Sequence, residues 1–173
     1  MEIGSGSGEH AAYFASALPS LTWQPTDCDA EALASSGAHR AAAGASNLLA
    51  PLYLDATSRA WPIERADALL CMNVIHIAPW AVAEGVMAGA ARLLPKEGVL
   101  YFYGPYRSEG RHTAASNATF DAWLRSQDSR WGVRDLGEVV QLAAENGFHL
   151  METVPMPANN LSVVFCRSER SSR

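Results

Sequence analysis

A glycine-rich segment near the beginning of the chain restricts the fold more than any other feature of the sequence. Residues 2–8 read Glu-Ile-Gly-Ser-Gly-Ser-Gly, between a short apolar run at residues 1–3 and a helical pattern that begins near Glu9. Glycine lets the backbone turn sharply and approach a ligand where a Cβ atom would clash. The pattern therefore predicts a strand, a tight ligand-binding turn and a helix, as in an open α/β sheet. A flexible glycine and serine linker is the alternative interpretation.

Short apolar runs alternate with helical patterns along the rest of the chain, which is typical of βαβ units around a mainly parallel sheet. Strands are predicted at residues 1–3, 21–25, 48–54, 68–74, 99–103, 148–156 and 161–167. Helices are predicted from residue 9 to Pro19, at 30–36 and 79–94, after a cap at Ser116, and from Asp135 to Asn146; the stretch 37–46 is too plain to assign. A hairpin-like turn at residues 157–160 makes the last strand antiparallel. We therefore predict an α/β, Rossmann-like, seven-stranded, mostly parallel sheet with an antiparallel last strand and helices on both faces.

The length and composition of the chain limit its class. With 173 residues, 49% of them hydrophobic, the chain predicts one globular domain over residues 1–167 and a flexible polar tail over 168–173. No apolar run is long enough to cross a bilayer and no leader pattern opens the chain, so we expect a cytoplasmic protein without membrane contact. The three cysteines have no metal-binding spacing, and no metal is predicted. A formal charge of −5 disfavours nucleic acid and favours a small-molecule substrate.

The spacing of the glycines indicates which cofactor the turn accepts. A dinucleotide fingerprint requires its third glycine one position later, where Glu9 stands, and an anion at a helix N-terminus competes with a pyrophosphate. A nicotinamide-dependent oxidoreductase is therefore disfavoured. S-adenosylmethionine carries a sulfonium and an ammonium group, which Glu2 favours directly or through water.

Acidic residues follow the second and third predicted strands, at the edge where ligands of open sheets bind. Asp27 lies about 20 residues after the glycine-rich turn, where a carboxylate accepts hydrogen bonds from both ribose hydroxyls. Asp29 is the competitor, although it suits a helix N-cap better. Asp55 lies within reach of an adenine amino group, and a turn or N-cap residue is an equally good interpretation of this position.

The E-x-G-x-G-x-G turn, together with Asp27 and Asp55, resembles the class I methyltransferases. More narrowly, residues 2–10, 23–29, 73–80, 103–106, 116–117, 131–135 and 156–160 resemble the methyltransferase-like protein 26 family, long described as of unknown function. The resemblance implies a bound S-adenosylmethionine, with Asn73 near its methionine end and the remaining contacts from Glu2, Gly4, Gly6, Gly8, Asp27 and Asp55. It also implies a helical segment and a longer first strand upstream. By that comparison the chain is N-terminally shortened, and we expect a longer form to bind S-adenosylmethionine more tightly.

The sequence predicts the acceptor side of the site less sharply. His76, just past the fourth strand, is the first candidate for a general base, with a backbone-bonded structural histidine as the alternative. The long loop at residues 104–116 is where we expect substrate, and possible pocket residues are Tyr106, Arg107, Trp131 and Arg134. Asn159 and Asn160 suit turn chemistry, and only the resemblance makes them pocket residues. We predict an S-adenosylmethionine-dependent methyltransferase of small molecules; a non-catalytic S-adenosylmethionine-binding or scaffold protein is the alternative.

Overall fold

A seven-stranded mixed sheet forms the centre of the computed structural model, which describes residues 1–168. Its strands lie in the order β3-β2-β1-β4-β5-β9-β8, with β9 antiparallel to both of its neighbours and the other pairs parallel. The strand bounds are β1 Glu2–Ile3, β2 Pro25–Asp27, β3 Leu52–Tyr53, β4 Ala68–Met72, β5 Val99–Gly104, β8 Phe148–Met156 and β9 Asn160–Arg167. A separate hairpin contains β6 Arg107–Ser108 and β7 Arg111–His112. The predicted Rossmann-like sheet is confirmed.

Five α-helices surround the sheet within residues 1–168, and two of them begin at the aspartates expected as caps. The bounds are α1 Glu9–Ala17, α2 Ala30–Ala43, α3 Trp80–Leu93, α4 Ala115–Gln127 and α5 Leu136–Glu145. The Asp29 side chain accepts a hydrogen bond from the backbone of Ala32 (2.8 Å), and Asp135 accepts one from Gly137 (2.9 Å). Each carboxylate satisfies a donor that the first turn of its helix leaves free. Within residues 1–168, no helix has both the length and the apolar character needed to span a bilayer.

The predicted second and third strands differ from the observed ones, and one helix is longer. β2 comprises Pro25–Asp27 instead of residues 21–25, because Leu21 is half exposed and Trp23 makes only an isolated bridge to Leu48. β3 begins at Leu52 and not at Leu48, because the pairing of Leu48 with Trp23 is an isolated bridge outside the sheet. It is therefore only two residues long. α2 includes part of the stretch left unassigned and ends at Gly44, where a left-handed conformation (φ 60°) stops the helix.

Three further expectations change around the predicted substrate loop. β4 ends at Met72, two residues early, because Asn73 adopts a left-handed conformation (φ 61°). The loop at residues 104–116 contains the β6–β7 hairpin. Ser116 is not a helix cap: α4 is preceded by Ala114, which has no side-chain hydrogen bond to the helix, and the Ser116 hydroxyl accepts one from Asn159. The predicted tail at residues 168–173 lies outside the described residues, apart from Ser168.

Most of the hydrophobic core lies where β4, β5 and β9 pack against α3 and α5. Leu100 and Phe102 of β5 are fully buried, and the Phe102 ring meets Phe165 edge to face. A smaller cluster, built from Ala11, Ala15, Trp23 and Leu48, connects α1 to the other side of the sheet. The two clusters hold the carboxyl ends of β1, β2, β3 and β4 at a common edge, which is the edge where open α/β sheets bind ligands.

Candidate functional site

A crevice of about 250 Å³ lies at the carboxyl ends of β1, β2 and β3. It brings together four of the residues that the sequence predicts for a cofactor: Gly4, Gly6, Asp27 and Asp55. The remaining lining residues are mostly apolar, and they are Ile3, Cys28, Leu54, Ala56, Val74, Ile77, Ala78 and Val82. An apolar cleft with a few convergent polar groups is the usual form of a small-molecule site.

The three glycines of the turn have different roles although all three are left-handed, with φ values of +66°, +54° and +83°. At Gly6 an added Cβ atom meets nothing within 4 Å, so this glycine faces open space in the crevice. At Gly4 an added Cβ overlaps the side chain of Val74. At Gly8 it lies 2.5 Å from the Cα atom of Ser36 in α2. Gly8 therefore allows α1 and α2 to approach each other, and it does not line the crevice.

The two strand-end aspartates are fixed by backbone hydrogen bonds. Asp27 Oδ2 accepts a hydrogen bond from the Gly6 amide (2.9 Å), and Asp27 Oδ1 accepts one from the Asp29 amide (3.0 Å). Asp55 Oδ1 accepts from the amide (2.8 Å) and the hydroxyl (2.7 Å) of Thr57. The second oxygen of Asp55 accepts no hydrogen bond from residues 1–168. Each carboxylate therefore has a set orientation and retains lone pairs for a ligand.

Glu2 lies outside the lining of this crevice. Its side chain is 2% exposed, and its Oε2 atom accepts a hydrogen bond from the Trp23 indole N–H at 2.8 Å. Burial raises the pKa of the Glu2 carboxyl, and the indole hydrogen bond opposes that rise. Successive strand residues face opposite sides of a sheet, and Ile3 is the residue that faces the crevice. The predicted direct contact of Glu2 with a cofactor does not fit this placement.

His76 is placed as a structural residue, contrary to its predicted role as a base. The ring has no solvent exposure, and burial, reinforced by the Arg134 guanidinium, lowers its pKa to about 3. Its Nδ1 atom accepts a hydrogen bond from the Arg134 amide (3.3 Å), so Nε2 carries the proton, and Nε2 has no partner within residues 1–168. This placement makes His76 a poor base, because burial disfavours the protonated ring and its Nδ1 atom is bonded to the Arg134 amide.

A second cavity, of about 380 Å³, adjoins the crevice; we call it the amide cavity because three asparagines line it. Its lining residues come from four separate segments, and they are Asn73, Pro105, Ser116, Asn117, Phe120, Ala158 and Asn160. Asn73 lines the amide cavity while Val74 lines the crevice. Two consecutive residues after β4 therefore form a boundary between the two spaces.

The sequence predicted only part of the amide cavity. Asn73 and Asn160 were predicted site residues, Pro105 and Ser116 lie in the predicted substrate loop at residues 104–116, and Asn117 entered through the family resemblance alone. Phe120 falls on the helix predicted after Ser116 and had no predicted role in the site. Their spacing in the sequence carries no signal for a shared pocket, because β5, α4 and the β8–β9 turn meet only in the folded chain.

The other predicted substrate residues line neither of these two spaces. Tyr106 is buried, and its ring packs edge to face against His76 at 5.1 Å between centroids. The Arg134 guanidinium donates to three backbone carbonyls, those of Ile75, Ala78 and Arg130, and lies 5.6 Å from the centre of the Trp80 ring.

The three remaining predicted residues also have structural contacts. Arg107 pairs through its backbone with Arg134, and Trp131 closes a turn on Asp128. Asn159 lies beside the amide cavity and donates to the Ser116 hydroxyl (3.1 Å). Tyr106 and Arg134 therefore contact His76, and Arg107 contacts Arg134. Arg134 also lines a separate pocket of about 400 Å³, beside Trp80 and Glu138.

Several solved methyltransferase structures share this fold. An O-methyltransferase family protein from Burkholderia thailandensis superposes with a TM-score of 0.83 at 16% identity, over 98% of this chain and 51% of that one. An O-methyltransferase family 2 protein from Planctomyces limnophilus DSM 3776, in complex with apigenin, has a TM-score of 0.80 at 20% identity, over 96% and 49%. The mitomycin 7-O-methyltransferase has a TM-score of 0.81 at 19% identity, over 96% and 48%. The present chain spans about half the length of these structures, and at such identities the similarity establishes the fold.

A family model also matches the sequence directly. It carries the description "Protein of unknown function (DUF938)" and matches residues 1–167. The match includes the glycine-rich turn, both aspartates of the crevice and every lining residue of the amide cavity. Because it extends over nearly the whole sequence, the protein belongs to the DUF938 family.

Proposed function

We propose that the protein is an S-adenosylmethionine-dependent methyltransferase that acts on a small-molecule acceptor, within the methyltransferase-like protein 26 group that its sequence resembles. The observation that carries the proposal is the boundary at Asn73 and Val74. A crevice suited to a nucleoside meets a second cavity there, and a transferred methyl group has to cross such a boundary. The shared fold of known methyltransferases supports the proposal.

The residues of the crevice fit S-adenosylmethionine. Asp27 is oriented by the Gly6 and Asp29 amides and accepts from the ribose hydroxyls. Asp55 has one carboxylate oxygen available for the adenine amino group. Gly6 leaves room for the ligand because it has no side chain, and Val74 and Ile77 provide apolar surface. When bound, the cofactor supplies a methyl group that its sulfonium already makes electrophilic.

The contribution of the protein is then mainly to orient the two reactants. Holding reacting groups in line at contact distance supplies about 7–11 kcal/mol of a barrier in well-oriented systems. The crevice excludes water from the adenosyl group through its apolar lining, and Asn73 marks the side from which the acceptor approaches. His76 takes no part as a base in this proposal.

A non-catalytic S-adenosylmethionine-binding protein is the second candidate, and the placement of His76 favours it. Calorimetric titration with S-adenosylmethionine tests what both candidates share. Incubation with methyl-labelled S-adenosylmethionine and a mixture of small-molecule acceptors separates them, because only a methyltransferase converts the cofactor to S-adenosylhomocysteine in proportion to labelled product.

A pair of glycine substitutions makes the binding test specific. Gly6 and Gly110 are both left-handed and both have open space where a side chain would extend, but Gly110 lies in the turn of the β6–β7 hairpin. Gly6→Val is expected to abolish cofactor binding, whereas Gly110→Val, with similar backbone strain, leaves it within a few-fold of the original. Equal affinities of the two variants would contradict the proposed site.

A further inference from the structure

Two asparagines of the amide cavity have both of their N–H groups bound to the protein itself. The Asn117 amide nitrogen donates to the Asn159 carbonyl at 3.1 Å and to the Thr113 hydroxyl at 3.3 Å. The Asn160 amide nitrogen donates to the Tyr103 hydroxyl at 3.1 Å and to the Pro157 carbonyl at 3.3 Å. A side-chain amide has two N–H donors, so each of these nitrogens has none left for a ligand.

The orientation of both amides follows from their partners. A backbone carbonyl only accepts hydrogen bonds, so the atom that faces Asn159 or Pro157 has to be the nitrogen of the side chain, and the oxygen points the other way. Within residues 1–168, neither of the two side-chain oxygens accepts a hydrogen bond. Asn117 is only 4% exposed, and it lines the cavity. The amide cavity therefore presents fixed hydrogen-bond acceptors to its contents.

The amide cavity is also uncharged. Its lining includes no Asp, Glu, Lys, Arg or His among the described residues, only three amides, one hydroxyl and apolar groups. Asn73, Ser116 and Ala158 are exposed, so the amide cavity is open to solvent, and a charged group that enters it finds no counter-charge in the lining. Fixed carbonyl oxygens repel anions and attract N–H or O–H donors. The lining therefore favours molecules that carry N–H or O–H donors over carboxylates and phosphates.

We infer that the amide cavity binds an uncharged amine that keeps at least one N–H, and that this nitrogen is the methyl acceptor. This inference rests on the proposed methyltransferase function. An amine nitrogen reacts in its neutral form, whereas a hydroxyl has to lose a proton to a base, and no titratable side chain lines the cavity among residues 1–168. Phe120 and Pro105 provide apolar surface for a ring that bears the nitrogen.

The transfer requires no base in the protein. The amine lone pair forms the new bond to the methyl carbon while the carbon–sulfur bond breaks, and that electron pair stays on sulfur, which becomes a neutral thioether. The nitrogen then carries the positive charge and keeps its proton until it reaches water. The N–H groups become stronger donors as this charge develops, so the oxygens of Asn117 and Asn160 bind the transition state more tightly than the neutral amine.

Four naphthalene probes of similar shape test the inference with the complete chain. The probes are 1-naphthylamine, N,N-dimethyl-1-naphthylamine, 1-naphthol and 1-naphthoate, each titrated calorimetrically into the protein saturated with S-adenosylhomocysteine at a mildly alkaline pH. We expect 1-naphthylamine to bind at least about tenfold more tightly than the dimethyl compound and the naphthoate, since one lacks N–H donors and the other is charged. With methyl-labelled S-adenosylmethionine, the label is expected on the nitrogen of 1-naphthylamine.

A matched pair of variants ties the preference to the cavity. Asn160→Leu is expected to remove the advantage of 1-naphthylamine over its dimethyl analogue while the affinity for S-adenosylhomocysteine is unchanged. Gln141→Leu, an equally polar-to-apolar change on the exposed surface of α5, is expected to leave both affinities unchanged. Thermal unfolding of each variant verifies that it is folded.

Some results would contradict the amine assignment, and a different result would contradict the proposed methyltransferase function. Methylation of 1-naphthol as fast as 1-naphthylamine, equal affinity for the dimethyl compound, or a preference for naphthoate overturns the amine assignment. The absence of binding by all four probes, while S-adenosylhomocysteine binds, does the same. A failure of S-adenosylmethionine and S-adenosylhomocysteine to bind at all contradicts the proposed function instead.

Discussion

The crevice and the amide cavity lie side by side, yet they are built in opposite ways. The crevice depends on left-handed glycines and on carboxylates at the ends of adjacent parallel strands, and its hydrogen bonds link Asp27 to Gly6 and Asp55 to Thr57. The amide cavity depends on side chains from distant segments, which are held by contacts such as the one between Asn117 and Asn159. Backbone conformation therefore determines the crevice, and tertiary packing determines the amide cavity.

The largest effect is expected at Gly8, which allows α1 to pack against α2. Gly8→Ala places a Cβ atom against the backbone of Ser36 and strains a left-handed residue, so we expect a loss of about 3 kcal/mol in the free energy of unfolding. Gly6→Ala strains a similar backbone without a clash and is expected to cost only about 1 kcal/mol. Urea unfolding of both variants measures the difference. Equal losses would show that packing of α1 on α2 is not the reason for Gly8.

The next prediction concerns the contribution of the strand-end carboxylates to the affinity of the crevice for S-adenosylmethionine. Asp27→Ala removes an oriented, charged acceptor, and we expect roughly a 10- to 100-fold loss of affinity for S-adenosylmethionine. Asp29→Ala is the matched control two residues away. It removes the α2 cap and is expected to cost about 1 kcal/mol of stability while affinity changes little. If Asp29→Ala weakens binding as much as Asp27→Ala, the assignment of Asp27 to the ribose is wrong.

The buried ring of His76 predicts that the stability of the protein depends on pH. Its pKa of about 3 lies below that of an exposed histidine, so the unfolded chain binds a proton that the folded chain does not. Stability therefore falls as the pH drops below about 6.5, by about 2 kcal/mol between pH 7.5 and pH 5. His76→Asn is expected to remove this component, and His149→Asn, at an exposed site, is expected to retain it. Urea unfolding at both pH values provides the test.

The smallest effect concerns Glu2, whose carboxylate faces away from the crevice. Burial raises its pKa, so the ionised form costs stability as the pH rises through the folded-state pKa, and the contribution is favourable only at lower pH. Relative to the wild type, Glu2→Gln is expected to gain stability on going from about pH 4.5 to pH 8. Affinity for S-adenosylmethionine is expected to change no more than a few-fold, and a large loss would restore Glu2 to the cofactor contacts.

These differences explain how much the sequence could predict. The alternation of strands and helices and the final hairpin predict the sheet correctly, and the glycine pattern with Asp27 and Asp55 predicts four crevice residues, because each signal is local. The burial of Glu2 against Trp23 was not predicted, because the side to which a two-residue strand directs its side chains depends on its neighbours.

Of the two interpretations of His76, a general base and a structural histidine, the structure fits the second. His76 lies just after β4, as predicted. Its burial under Tyr106 and its hydrogen bond from Arg134 depend on tertiary contacts, which the spacing of residues in the sequence does not reveal. The amide cavity was predicted only in fragments, since the orientation of Asn117 and Asn160 depends on carbonyl groups of the β8–β9 turn.

The position of β9 between β5 and β8 also bears on how the molecule assembles. Within residues 1–168, β8 pairs only with β9, the strand that follows it in the chain, and β9 connects this hairpin to β5. Every lining residue of the crevice precedes residue 83, whereas the amide cavity requires Ala158 and Asn160. During synthesis every lining residue of the crevice is therefore present long before the amide cavity can form, because that cavity needs residues of the β8–β9 turn.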